Sequence, residues 1–227
     1  MKPTELELQA LRTETDEMWK LVLSQIEKAK LCYLSYDREL AFEIISREKR
    51  VNAYDSKIDS DCENYIALYA PVAIDLRLIL SLLKIVNTLE RIGDFAESIA
   101  RQILDEDYPK IDTALAEELQ IETVFDTVIT MLMECYIAFD TENTKLSGKI
   151  LATDDKVDQL YYDALPILSN YILANPEKGV YSLKTLLILR KLERMGDHCS
   201  NIVEEIVFYI DAKVLKHTNP KKSVDKQ

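Results

Sequence analysis

The chain has 227 residues, only 4 Gly and 6 Pro, 30% charged residues and a net charge of −12, with an isoelectric point near 4.8. That length holds one large or two small domains, and so few turn formers favour long helices over a β-sandwich. An acidic chain without a basic stripe lacks the means to bind a nucleic-acid backbone; the charge serves solubility first, and any partners it favours are cations or basic protein surfaces.

The apolar run from Leu76 to Val86 is interrupted by Arg77 and Lys84 and is too short for a bilayer. Met1 to Gln9 is polar and acidic, unlike a signal peptide. Cys32, Cys62, Cys135 and Cys199 are scattered without C-x-x-C spacing, which predicts reduced, buried thiols and a cytoplasmic protein.

In chain order, Thr4 with Glu7 has the spacing of a capping box. Leu8, Leu11, Met18, Leu21, Val22, Ile26 and Ala29 carry a first helix to about Tyr36. Asp37 is placed to cap a second helix, which runs to about Tyr69 and ends before Pro71. A third is predicted from about Val72 to Asp105. The acidic turn around Pro109 marks a midpoint, after which the plan repeats. The fourth helix is expected from about Asp112 to Leu146, with a break at Ser147-Gly148, the fifth to about Ala174, and the sixth from about Val180 to Lys213. These spacings divide the chain into repeats 1–108 and 109–213 and a Lys-rich C-terminal tail, 214–227, expected to be mobile.

The third helix of each repeat carries the same words, Glu90-Arg91-Ile92-Gly93-Asp94 and Glu193-Arg194-Met195-Gly196-Asp197, offset by 103 (193 − 90). Glu and Asp four apart share one helix face. That face runs beside the main apolar stripe of Leu82, Ile85, Leu89, Ile92, Ala96 and Ile99, so the acids are expected at the edge of a packing seam. A mid-helix Gly costs about 1 kcal/mol relative to Ala. Its recurrence predicts close approach of a neighbouring helix.

Like charges one turn apart at a seam must be protonated, paired or neutralised by a cation. Further oxygens lie on the middle helices: Asp154 and Asp158 in repeat two, and Glu48, Asn52, Asp55 and Asp59 along one face in repeat one. Carboxylates and amides without His or Cys suit Mg, Ca, Mn or Fe and disfavour a structural zinc site. His198 and Cys199 point away from the Glu193 to Asp197 line and read as packing or surface residues. There is no G-x-S-x-G, no glycine-rich phosphate loop, and neither His198 nor His217 follows a Glu by three residues. Hydrolase, nucleotidase and di-iron oxidase readings are therefore disfavoured.

The two motifs in this arrangement, with Ala70-Pro71-Val72-Ala73-Ile74-Asp75-Leu76-Arg77, Val51-Asn52 and Val157-Asp158, resemble PhoU-type phosphate-signalling regulators over nearly the whole chain. The resemblance implies an all-α fold of two tandem three-helix-bundle repeats, six long antiparallel helices related by a pseudo-two-fold. It implies a non-enzymatic, cytoplasmic and often dimeric regulator. Such a protein contacts the ATPase of a phosphate ABC transporter and its sensor histidine kinase, touching the membrane only through partners and binding no nucleic acid.

It also implies divalent or trivalent metal (Fe, Mn, Mg or Zn) on Glu90 and Asp94, and on Glu193 and Asp197 with Asp154 and Asp158. Glu48 and Asn52 would complete the first-repeat set, and Glu97 and Asn201 are additional candidates. Lys49 stands where an Asp is usual and aligns with Asp155, and Ser98 replaces the Asn found at Asn201. Repeat one is therefore expected to bind metal more weakly, or not at all. The competing readings are a metal-free helical scaffold using the same faces for protein binding, and a metalloenzyme.

Overall fold

The computed structural model describes residues 3–105, 108 and 112–215; the midpoint turn around Pro109 and residues 216–227 of the Lys-rich tail lie outside the described residues. The fold is all-α: α1 (Pro3–Ser35), α2 (Arg38–Tyr69), α3 (Ala73–Leu104), α4 (Thr113–Glu118), α5 (Ile121–Asp140), α6 (Ser147–Ala174) and α7 (Gly179–Asp211). Two 3-10 turns, Thr144–Leu146 and Pro176–Lys178, precede α6 and α7. None of these helices is long and apolar enough to cross a membrane.

Local chemistry sets both ends of α2 and the start of α1. Asp37 caps α2, its Oδ1 accepting from the backbone N–H groups of Glu39 and Leu40 at 3.0 Å. Ala70 closes α2 in the left-handed region, and Pro71 falls in the short link to α3. The Thr4–Glu7 capping box does not form: α1 starts at Pro3, where a fixed φ and a missing N–H suit the first turn, so Thr4 is already helical.

The expected fourth helix is two helices. Leu119 and Ile121 are both buried, yet residues two apart lie about 200° apart on a continuous helix. The chain satisfies both by turning at Gln120, whose φ is 52°. The break expected at Ser147-Gly148 comes earlier, at Thr141 to Asn143. Glu142 is left-handed there and the Asn143 side chain accepts from the Lys145 N–H at 3.0 Å. Gly148 therefore lies inside the first turn of α6, in open space.

The repeats share one core. α3 packs on α1 and α2, α7 on α5 and α6, and α3 and α7 pack on each other. Trp19 of α1 is fully buried against α5, donating to the Leu132 carbonyl at 3.3 Å and lying against Tyr136 and Phe139. The four cysteines are free and buried.

The α3–α7 seam carries the duplication in its hydrogen bonds. Ser81 Oγ donates to the Glu205 carbonyl at 3.1 Å, and Gln102 Nε2 donates to the Lys184 carbonyl at 2.8 Å. A 103-residue exchange (184 − 81 and 205 − 102) converts one residue pair into the other, with the donor and acceptor positions swapped. Phe95 and His198, equivalent under the same exchange, stack on each other at 5.6 Å at its centre.

Candidate metal centre

The recurring glycine has the reason its position suggested. A Cβ on Gly196 would lie 2.7 Å from Asp154 Oδ1 and 3.6 Å from Val157, and one on Gly93 would lie 3.2 Å from Glu48 Oε2 and 3.3 Å from Val51. In both repeats the third helix gives up a side chain so that an acid and a valine of the middle helix can close on its backbone. These contacts set the structural equivalences: Glu48 with Asp154, Val51 with Val157, and hence Asn52 with Asp158.

In repeat two the acids converge. Asp158 of α6 and Glu193 and Asp197 of α7 each offer an oxygen within 4.8 Å of the others'. Glu193 is buried, Asp158 half-buried and Asp197 exposed, so the group sits at the seam edge with one side open to solvent. Arg190 pairs with Glu193 Oε1, leaving Oε2 buried and unpartnered, as are Asp158 Oδ1 and Asp154 Oδ1. Asp154 is held beside the group by Ser200, whose hydroxyl donates to Oδ2 at 2.7 Å.

Burial, with Asp197 next, pushes the Glu193 carboxyl up to about 7 against the pull of Arg190. Burial pushes Asp154 up to about 6, with Asp197 and Asp158 adding to it and the Ser200 hydrogen bond opposing it. Negative charge is thus under-compensated by the protein's own cations. An all-oxygen donor set with buried unpartnered oxygens and solvent access fits a hard or borderline cation.

Repeat one differs at one decisive place. Glu48 is buried, accepts from Gln25 Nε2 of α1 at 3.0 Å and leaves Oε1 unpartnered. Burial and then Asp94, Glu97 and Glu90 push it up to about 7. Glu90 is raised by burial, Asp94 and Asp55, and Asp94 by burial and Glu97. Asn52 occupies the place of Asp158, however, so two carboxylates and an amide stand where repeat two has three carboxylates.

Sequence alignment located the difference between the repeats at Lys49 against Asp155 and Ser98 against Asn201. Geometry moves it to Asn52 against Asp158, because Lys49 and Asp155 are exposed and neither belongs to the converging group. Asn201 lines a separate pocket between α3 and α7, and Glu97 accepts from Arg101 at 2.6 Å. Gln25 and Ser200, which orient the buried acids, carried no motif signal, since their role depends on packing between distant segments. Cys199 is fully buried, whereas His198, also buried, stacks on Phe95 with neither ring nitrogen partnered.

The PhoU domain model matches residues 15–103 and again 121–206. The phosphate-specific transport system accessory protein PhoU of Escherichia coli (strain K12) is 32% identical over 93% of this chain and 86% of its own length. A homologue of that protein from Aquifex aeolicus is 32% identical over 95% and 96%. The crystal structure of PhoU from Pseudomonas aeruginosa superposes with a TM-score of 0.83 at 30% identity, covering 92% of this chain and 99% of that one. That of the phosphate transport system regulatory protein PhoU from Streptococcus pneumoniae gives 0.80 at 27% identity, covering 94% and 99%. The chain belongs to the PhoU family, a family of accessory and regulatory proteins and not of enzymes.

Proposed function

We propose that this protein is a cytoplasmic accessory regulator of a phosphate transport system that binds a divalent or trivalent cation in repeat two and acts by contact rather than by chemistry. Asp158, Glu193 and Asp197 would hold the ion, with Asp154 beside them. The ion would supply charge neutralisation, locking α6 against α7. The observation that carries the metal reading is the convergence of three carboxylates, two of which, Asp158 and Glu193, each keep a buried oxygen without a partner. Glu90, Asp94, Glu48 and Asn52 form a poorer site, in line with one charge fewer.

Family membership supports the partner half of the reading: the ATPase of a phosphate ABC transporter, its sensor histidine kinase, or both, with the chain, built of repeats 1–108 and 109–213, acting as a homodimer. Val180, Leu183 and Leu187, each more than half exposed on one face of α7, supply the kind of apolar surface that such contacts use. The Arg190–Glu193 pair favours a second reading, a metal-free scaffold.

Elemental analysis of protein purified without tag or chelator, with melting in EDTA and in added Mn, Mg or Fe, separates the two readings. Bound metal and a raised melting point support the first; no metal and no shift leave the second. Pull-down with the transporter ATPase and with the kinase tests the partner half, and failure of both removes it.

A further inference from the structure

Buried side-chain atoms without partners are concentrated in few places in this fold. Among the described residues, besides the two acid clusters and Glu14 Oε2, they occur at His198, where both ring nitrogens lack partners, and at Glu205 Oε2. Both residues line one pocket of about 280 Å³ between α3 and α7, together with Lys84, Asn87, Thr88, Arg91, Asn201 and Glu204. Its register is set by Lys84, which pairs with Glu205 Oε1 at 2.8 Å, and by the Ser81 bond to the Glu205 carbonyl. His198 is only 8% exposed, so an imidazole with two unpartnered nitrogens is costly there unless a ligand supplies partners.

The internal duplication provides a control. Exchange by 103 residues (198 − 95) maps His198 onto Phe95, Arg91 onto Arg194, Asn87 onto Arg190 and Asn201 onto Ser98. On the Phe95 side the arginine is used for packing: the Arg194 guanidinium lies 5.0 Å from the Phe95 ring centre. On the other side the aromatic position is an imidazole, and two amides, Asn87 and Asn201, replace Arg190 and Ser98. The exchange that introduces polarity is His198 for Phe95, which sets two unpartnered ring nitrogens where the other side has a phenyl ring packed by a guanidinium.

We infer that this pocket binds phosphate, free or as a monoester, with Arg91, His198, Asn87 and Asn201 facing its oxygens and Glu205 Oε2 accepting its proton. An arginine and amides suit a tetrahedral oxyanion. The unpartnered carboxylate oxygen suits an oxyanion that carries an O–H, which inorganic phosphate has at neutral pH, a monoester carries only below its second pKa of about 6, and sulfate lacks. Lys84 offsets the charge of Glu205. The pocket is separate from the converging carboxylates, and its ligand is held without a cation.

Calorimetric titration of the full chain in excess EDTA tests this, because chelation removes any binding of phosphate through a bound metal. The probes are inorganic phosphate, O-phosphoserine and sulfate. Expected are saturable binding of phosphate or the monoester, at least tenfold weaker binding of sulfate, and a tenfold or greater loss in Arg91→Gln and in His198→Phe. The second variant copies the residue at the equivalent position and keeps an aromatic stack, and circular dichroism melting verifies its fold. Preference for inorganic phosphate or for O-phosphoserine identifies the source. Absence of binding by both, sulfate binding as tightly as phosphate, or two folded variants that bind like the parent would overturn the inference.

Discussion

Replacing Glu193 by Gln should stabilise the metal-free protein while removing its response to metal. The Glu193 carboxyl is raised from its ordinary 4.5 to about 7, chiefly by burial and then by Asp197. At about 1.4 kcal/mol per pH unit, the ionised form carries a folded-state penalty of about 3 kcal/mol. The sign follows from linkage: the penalty is absent below about pH 4.5, grows as pH rises, and is complete above about pH 7. Glu193→Gln keeps the oxygen that faces Arg190 and deletes the charge. For a domain of this size 1 kcal/mol corresponds to roughly 2–4 °C, so at pH 8 in EDTA the variant should melt about 6–12 °C above the parent. Metal at a hundredfold excess over its dissociation constant should stabilise the parent by about 2.7 kcal/mol and the variant hardly at all, so the gap closes. Thermal unfolding at pH 5 and pH 8, with EDTA and with Mn, reads all of this. A variant no more stable than the parent at pH 8 in EDTA would refute the idea that buried like charge is left uncompensated.

Asn52→Asp places a third carboxylate beside Glu90 and Asp94; it should lower the metal-free melting point and raise the bound-metal count in elemental analysis. Gly196→Ala drives a methyl group into Asp154 Oδ1, so it should weaken metal binding in calorimetry. Its effect on stability should be small, since the helix propensity gain of about 1 kcal/mol opposes the crowding. Asp37→Ala removes the acceptor for two backbone N–H groups and should cost about 1 kcal/mol, read as a fall in denaturant midpoint with unchanged slope. Metal affinity should decline as pH falls from 7.5 to 5.5, because protons compete for carboxyls raised to about 7 and about 6; a pH-independent affinity would point to ligands other than these.

Much of the architecture was legible because helices announce themselves locally. The stripe of α3, the cap at Asp37 and the duplicated Glu-Arg-x-Gly-Asp all act within a few turns of chain. The glycine was legible too, since an unfavourable residue repeated at one register requires a cause. What escaped depended on burial from two directions at once. The turn at Gln120 exists because Leu119 and Ile121 are both drawn inward, and either alone would have suited a continuous helix. The weaker standing of repeat one was read from Lys49 and Ser98; that residue 52 and not residue 49 faces the seam, a rotation of about 300° along α2, is fixed only by packing against Gly93. Gln25 and Ser200 are ordinary helix residues until their neighbours are in place.

Anomalous diffraction from crystals grown with Mn, collected on the parent and on Asp158→Asn, tests the central claim most directly. A single strong peak among Asp158, Glu193 and Asp197 in the parent, lost or much weakened in the variant, is the predicted result. An empty map at saturating metal, with these carboxylates neutralised by Arg190 and protons alone, would contradict it.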